Sequence, residues 1–303
     1  MKIDTVYVLC NKRDFYFASI CVASIRYWNK NIPVYLVKDY LNGDFETQRL
    51  EMALNVEVVP ATIKNLGYLA ELYPFIEKKD ERALVLDADI IWMGDLIPIL
   101  EQMDEDIVID GYSPENMEAE KQRWYFFEPS FSTNFPGYVY PGFFFNSGHI
   151  LFNTRAFSKE EFLALVHWQE FPSAKLSNTF FTDQGILNYI VAERIKSKSI
   201  SYKNFKFQIW GWDKMVGRLA VEDIRQKKSI PYLVHWYGPK NGLISFLPGS
   251  RLLKFYEAFY FSHLSNGNAS MQVIRIKRTL QHIDKFLYEF LKKVYYFLRP
   301  PKN

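Results

Sequence analysis

The segment RALVLDADIIWMGDL, residues 82–96, constrains this chain more than any other. Ala83 to Leu86 reads as a buried strand that stops at two carboxylates, Asp87 and Asp89. Apolar chain resumes at once with Ile90, Ile91 and Trp92. Two carboxylates on alternate residues at a strand end can converge on one hard cation, and oxygen ligands suit Mg2+ or Mn2+. The plain alternative is a pair of solvated loop acids. The flanks ALVL and IIWM argue against it, because acids set between apolar runs need partners.

The rest of the pattern supplies the frame. TVYVLC (5–10), IPVYLV (32–37) and VEVVP (56–60) read as strands. FYFASICVASIRYW (15–28), FETQRLEMAL (45–54) and LGYLAELYPFIEK (66–78) have helical spacing. Short apolar strands alternating with helices predict an α/β fold with a mostly parallel sheet covered on both faces. Ligands of such sheets bind beyond the carboxyl ends of the strands, where Asp87 and Asp89 lie. DIVIDGY (106–112) is a further strand, and GFFFNSGHILFN (142–153) follows a long stretch, 113–142, without clean periodicity. That stretch reads as a lid or acceptor platform, with Trp124, Tyr125, Phe126, Phe127, Phe131, Tyr138 and Tyr140, or as ordinary aromatic core. Trp210 and Trp212 are candidates to join it. A helix is expected from about Ser158 to Glu170 and another from near Asp183.

Three further motifs carry polar groups between apolar runs. His235 ends the strand YLVH as the aspartates end theirs, and Gly238 and Lys240 follow it. A glycine admits close backbone approach, and a lysine supplies a compact charge for phosphate. Together with Asp87 and Asp89 this set fits a metal-bound diphosphate. In FFFNSGHILFN, Asn146, Ser147 and Gly148 suit hydrogen bonds to hydroxyls, or form a polar turn between two core strands. In FTDQGILN, Thr182 is a plausible N-cap and Asp183 favours the positive helix end. Capping leaves Gln184 unaccounted for.

These stretches, LVLDADIIWMGDL, FFFNSGHILFN, FTDQGILN and LVHWYGPK, resemble in order and spacing the motifs of the retaining glycosyltransferases of family 8 over roughly residues 1–242. The resemblance implies a GT-A fold for about residues 1–250 and an enzyme moving a hexose from a UDP-sugar, UDP-galactose or UDP-glucose. It implies that Asp87, Asp89 and His235 hold Mn2+, or Mg2+, on the donor. Asn146, Ser147 and Asp183 would meet the donor sugar, with Gln184 beside the anomeric carbon. Ala88, Gly238 and Lys240 would lie along the nucleotide and its diphosphate, and Cys10 and Asn11 at the base. The chain departs from the family in three places: Asn11 stands where an Asp is usual, Ala70 where an arginine is common, and Lys240 follows the histidine by five residues rather than six.

Composition bounds the partners. Net charge is +3 for 303 residues, which does not suggest a nucleic-acid protein. Between Ser270 and Asn303 eight Lys/Arg face two acids, so this tail is +6 and residues 1–269 are −3. Val273, Ile276, Leu280, Ile283, Leu287, Phe290, Val294 and Phe297 form a helical apolar stripe, ended by Pro300 and Pro301. Residues 251–303 therefore read as a helical tail, and 270–303 as a contact for an anionic membrane or for protein. Two cysteines, Cys10 and Cys21, make no disulfide framework and suit a reducing compartment. MKIDTVYVLC runs straight into a strand, and no apolar run reaches the roughly 18–20 residues of a membrane span, so the expected place is the cytoplasm or the inner face of its membrane. Two other readings stay open: an inverting GT-A transferase with Asp213 or Asp110 as base, and an inactive nucleotide-sugar-binding scaffold.

Overall fold

The computed structural model describes residues 1–40, 42–59, 67–77, 80–113, 115–167, 173–174, 178–180, 182–237, 243–280 and 283. The first strand, β1 (Thr5–Asn11), is buried almost throughout because it lies mid-sheet with helices on both faces. Helix α1 (Phe15–Trp28) follows, and then β2 (Val34–Asp39), α2 (Gln48–Leu54) and β3 (Glu57–Val59). The chain crosses back to form β4 (Arg82–Asp87) on the other side of β1. β1, β2, β3 and β4 are parallel, and β6 (Ile107–Ile109), β7 (His149–Asn153) and β8 (Tyr202–Asn204) extend the sheet in the order β8-β6-β7-β4-β1-β2-β3. Only β7 runs against its neighbours β4 and β6. The strand order reverses between β1 and β4, which makes their carboxyl ends the natural ligand cleft.

A second sheet begins where β4 ends. After Ala88 and Asp89 the chain re-enters as β5 (Ile90–Trp92), which pairs antiparallel with β10 (Leu233–His235), itself parallel to β9 (Gln208–Trp210). The apolar flanks of the aspartate pair are thus a central strand of one sheet and an edge strand of another.

The sheet's two faces follow the strand period of two. Val6, Val8 and Cys10 of β1 face one core, with α1 and α5 (Ser250–Ser262), while Tyr7 and Leu9 face the other, with α3 (Lys159–Leu165) and α4 (Asp183–Lys196). Both cysteines are free and buried. Helix α5 buries Leu252, Leu253, Tyr256, Tyr260 and Phe261, so the first part of the expected tail belongs to this core.

Several elements differ from their sequence expectation. Residues 66–78 were expected to be one helix. The described part is a 3-10 turn, Gly67–Leu72, running into one α turn, Tyr73–Ile76, with Pro74 at the start of that turn. The helix expected to reach Glu170 ends at Leu165 and passes into the short strand Val166–His167, and residues 168–172 lie outside the described residues. The aperiodic stretch 113–142 contains two helices, Met117–Trp124 and Ser130–Asn134. Its aromatics divide: Tyr125, Phe126 and Phe131 are core, while Trp124 and Phe127 are exposed. Trp212 is also exposed.

Residues 267–280 are helical and bear on α5 through an ion pair to buried Glu257, with Met271 and Ile274 packed against the core. Glu257 is 1% exposed and takes hydrogen bonds from Arg275 and the Tyr16 hydroxyl, and the Arg278 guanidinium stacks over the Tyr16 ring. Two of the tail's basic residues are therefore turned to the protein. Val273, Ile276, Leu280 and Ile283 stay exposed at 63%, 60%, 61% and 48%. The remainder of the stripe lies outside the described residues. None of the described helices is long and apolar enough to cross a membrane.

Helix α1 is locked by Arg26, which is buried and donates to the carbonyls of Ile32, Leu54 and Asn55, each at 2.6 Å. Arg26→Met strips charge-assisted donors from three carbonyls. The expected result is a loss of about 3–5 kcal/mol in urea unfolding, with the fold retained by circular dichroism.

Candidate active site

The crossing from β4 to β5 brings the predicted acids onto β10. Asp87 ends β4, and its N–H donates to the Gly148 carbonyl at 2.8 Å. Asp89 is 2% exposed, and its carbonyl accepts from Trp236 N–H at 3.0 Å. His235, also 2% exposed, pairs in register with Ile90. Its Nε2 lies 3.4 Å from Asp87 Oδ2 and 3.2 Å from Asp89 Oδ1. One ligand atom from each residue falls within 4.8 Å of the other two. Burial opposes charge on His235, but the two carboxylates prevail and raise its pKa to about 9. Two carboxylates and an imidazole converging from two sheets fit a divalent cation of the Mg2+ or Mn2+ kind. Ala88, between the aspartates, is buried in the core.

A second group closes on this one. The turn after Phe145 places the Asn146 amide against Gln184, with Nδ2 donating to Gln184 Oε1 at 2.8 Å. Asn146 Oδ1 accepts from Gly148 N–H at 3.1 Å. Gly148 is required for space: a Cβ there would lie 2.4 Å from Asp87 Oδ2. The Thr182 hydroxyl caps α4 by accepting from Gln184 N–H at 3.2 Å. Asp183 is 5% exposed and turns inward to Glu71 of the Gly67–Leu72 turn and to Ser147. Burial first, then the Asp183 charge, holds the Glu71 carboxyl well above the usual range, and burial raises Asp183 to about 6.

Two residues of this arrangement escaped the sequence reading. Asn188 clamps the Phe145 turn to α4: its amide donates to the carbonyls of Phe145 at 2.9 Å and Gln184 at 2.8 Å, and its Oδ1 accepts from Phe145 N–H at 3.1 Å. A polar residue inside the apolar run GILNYIV, one turn beyond Gln184, was the available signal. Glu71 left a fainter one, an acid inside YLAELYPF beside the noted Ala70.

The other predicted residues sit as follows. Cys10 and Asn11 end β1 next to β4, where Leu9 pairs with Asp87. Cys10 packs into the core, and Asn11 is engaged in the following turn, its amide donating to Asp14 and its Oδ1 accepting from Arg13 N–H at 2.8 Å. Gly238 and Lys240 lie outside the described residues. The carboxylates considered as an inverting base have structural work. Asp110 accepts from Phe207 N–H at 3.1 Å and Gln208 N–H at 2.8 Å, and Asp213 caps a short turn by accepting from Met215 N–H at 2.7 Å.

Comparison with known proteins agrees with this geometry. The family model described as glycosyl transferase family 8 matches residues 5–240. The chain belongs to that family. It is 28% identical over 245 residues to the glycosyltransferase GlyB of Streptococcus pneumoniae serotype 4 (strain ATCC BAA-334 / TIGR4), which covers 72% of this chain but 52% of that protein. The chain thus spans about half the length of this curated relative. Among solved structures, the bifunctional glycosyltransferase WbbM matches at TM-score 0.54 and 14% identity, covering 90% of this chain and 51% of that one. The glycosyltransferase GlyE of Streptococcus pneumoniae TIGR4 matches at TM-score 0.52 and 15% identity, covering 91% and 64%. An active-site mutant of LgtC matches at TM-score 0.50 and 16% identity, covering 83% and 94%. At these identities the likeness concerns the fold, which is the GT-A fold expected from the motifs.

A cation must displace the proton from His235. Apparent Mn2+ affinity measured by calorimetry is therefore expected to fall about tenfold per pH unit below pH ~9, with one proton released per ion bound, and to level off above it. Gly148→Ala should weaken Mn2+ binding at least about tenfold by displacing Asp87, while Gly217→Ala, in open space, should not.

Proposed function

We propose that this chain is a metal-dependent hexosyltransferase that moves a hexose from a UDP-sugar, UDP-galactose or UDP-glucose, to a glycan or lipid-linked acceptor with retention of configuration. The observation that carries this reading is the convergence of Asp87, Asp89 and His235 beside Asn146, Asp183 and Gln184 at the reversal of strand order. Asp87, Asp89 and His235 would hold Mn2+ or Mg2+, which supplies Lewis-acid stabilisation of the diphosphate when bound. By the family pattern Gly238 and Lys240 also contact that diphosphate, Cys10 and Asn11 lie by the base, and Ala88 and Ser147 line the donor.

The side chains suit a front-face reaction. Gln184 is a neutral amide whose Oε1 is occupied by the Asn146 amide, so it orients the sugar rather than attacking it. Asp183 is turned to Glu71 and Ser147, which suits holding sugar hydroxyls. The acceptor oxygen bonds to the anomeric carbon as the anomeric C–O bond to phosphate breaks, through an oxocarbenium-like state. The acceptor's proton passes to the departing phosphate oxygen, on the same face.

The expected outcome is Mn2+-dependent release of UDP from UDP-galactose or UDP-glucose, with an α product from the α donor by NMR. Asp89→Asn should cut turnover at least about 100-fold. A β product overturns retention, and turnover that survives chelation overturns the metal.

The same reading places the protein at the inner face of the cell membrane. Val273, Ile276, Leu280 and Ile283 form the outward apolar face of the tail, and the basic residues beyond Ile283 supply attraction to anionic lipid. Co-sedimentation with phosphatidylglycerol vesicles is expected for the full chain and lost on removal of residues 270–303. Equal sedimentation of both forms overturns this, and a dimer lost on truncation assigns the stripe to a second subunit.

A further inference from the structure

His149 heads β7 directly after Gly148, in register with Leu86 of β4, the residue before Asp87. Its ring is 1% exposed and stands edge-on to Phe207, Trp210 and His235, with centroids 5.5, 6.5 and 5.9 Å away. Trp210 also covers the His235 ring at 5.1 Å. Three ring nitrogens of this pair are buried and take no hydrogen bond among the described residues: both nitrogens of His149 and Nδ1 of His235. Groups of this kind are costly in an interior unless a hydrogen bond joins them. Nε2 of His235 is committed to the aspartate side, 3.4 Å from Asp87 Oδ2 and 3.2 Å from Asp89 Oδ1. A lone pair given to a cation there leaves the ring's proton on Nδ1, as a donor that needs an acceptor.

We infer that His149 is a positioning residue for the metal site: its ring takes the hydrogen bond of His235 Nδ1–H through one ordered water, and so fixes the nitrogen that His235 presents to the cation. This role rests on the reading of Asp87, Asp89 and His235 as ligands of one cation. A histidine that binds a metal almost always donates its other ring N–H to an acceptor behind it, which sets the tautomer and the ring plane. Among the rings gathered here, Phe207 has no polar atom and Trp210 has only a donor, which leaves His149 as the acceptor. Burial keeps His149 neutral, with one acceptor nitrogen and one N–H. The two imidazoles form no direct bond at 5.9 Å, and one water spans that gap with a polar partner at each end. An apolar side chain at position 149 would pack against Phe207 and Trp210 equally well, but would leave Nδ1 of His235 bare. Mg2+ is held by oxygen ligands and water, whereas a transition-metal ion gains from an imidazole nitrogen, so an anchored Nε2 favours Mn2+ over Mg2+.

The test titrates Mn2+ and Mg2+ by calorimetry into wild type, His149→Val and His149→Gln, and reads the His235 imidazole by 15N NMR in the Mg2+ form. Valine fits the buried strand and removes the acceptor, whereas glutamine keeps one. Wild type should show a single His235 tautomer with its proton on Nδ1. His149→Val should keep its fold by circular dichroism, bind Mn2+ at least about tenfold more weakly, lose less than about threefold for Mg2+, and show His235 in mixed tautomers. His149→Gln should recover Mn2+ affinity to within about threefold of wild type. If His149→Val does not fold, His149→Leu carries the comparison. Unchanged Mn2+ affinity, or an equal loss for both ions, overturns the positioning role. A single Nδ1–H tautomer in His149→Val overturns it as well. Equal weakening in the valine and glutamine variants, with lowered melting in both, makes His149 structural and also overturns it. Failure of wild type to bind either ion overturns instead the metal-site reading beneath.

Discussion

The passage of one chain segment from sheet to sheet at Asp87–Asp89 is the constraint on which the rest depends. β4 belongs to the large sheet and β5 to the small one, so the two residues that turn the corner cannot relax independently of either. Backbone bonds hold the corner from both sides, Asp87 to Gly148 on β7's approach and Asp89 to Trp236 after β10. The carboxylates are thereby aimed at His235 by two packed sheets rather than by a loop. Precise ligand placement of this kind requires a rigid surround, because a cation with preferred geometry tolerates little displacement.

The polar groups around that corner are organised by α4. Its cap is Thr182, its first residue is the inward acid, its second is the amide bound to Asn146, and one turn on Asn188 clamps the opposing turn. One helix start thus joins Asp183 and Gln184 to the turn after Phe145. Gly185 permits the approach, since a Cβ there would lie 2.2 Å from the Tyr125 carbonyl. The aromatic stretch before it serves two ends: Tyr125, Phe126 and Phe131 hold this helix in the core, and Trp124 and Phe127 are left facing solvent.

Much of this was legible in one dimension. Strand and helix positions for residues 5–28 follow from the apolar pattern, because those segments bury whole faces, and the helix start at Asp183 follows from its Thr182 cap. The weaker cases share a physical cause. In LGYLAELYPF the apolar spacing suits a helix, but Pro74 and packing against β7, where Phe75 stacks on Phe152 at 3.9 Å, split it into a 3-10 turn and a single α turn. In 113–142, polar helices such as MEAEKQRW lack the apolar stripe that periodicity detects.

The sequence by itself determined which residues carry charge and hydrogen-bonding groups at strand ends and helix starts, since local pattern alone sets where strands stop and helices begin. That was enough to name Asp87, Asp89, His235, Asn146, Asp183 and Gln184. Only the tertiary structure decided which of them meet. His235 lies about 150 residues from the aspartates and reaches them through the antiparallel pairing of β10 with β5, a register that no local pattern encodes. Glu71 finds Asp183 across 112 residues in the same way. Burial is a property of the assembled sheets and helices, and it turns these acids from ordinary surface charges into groups that must share a proton, hold a cation or bind a ligand.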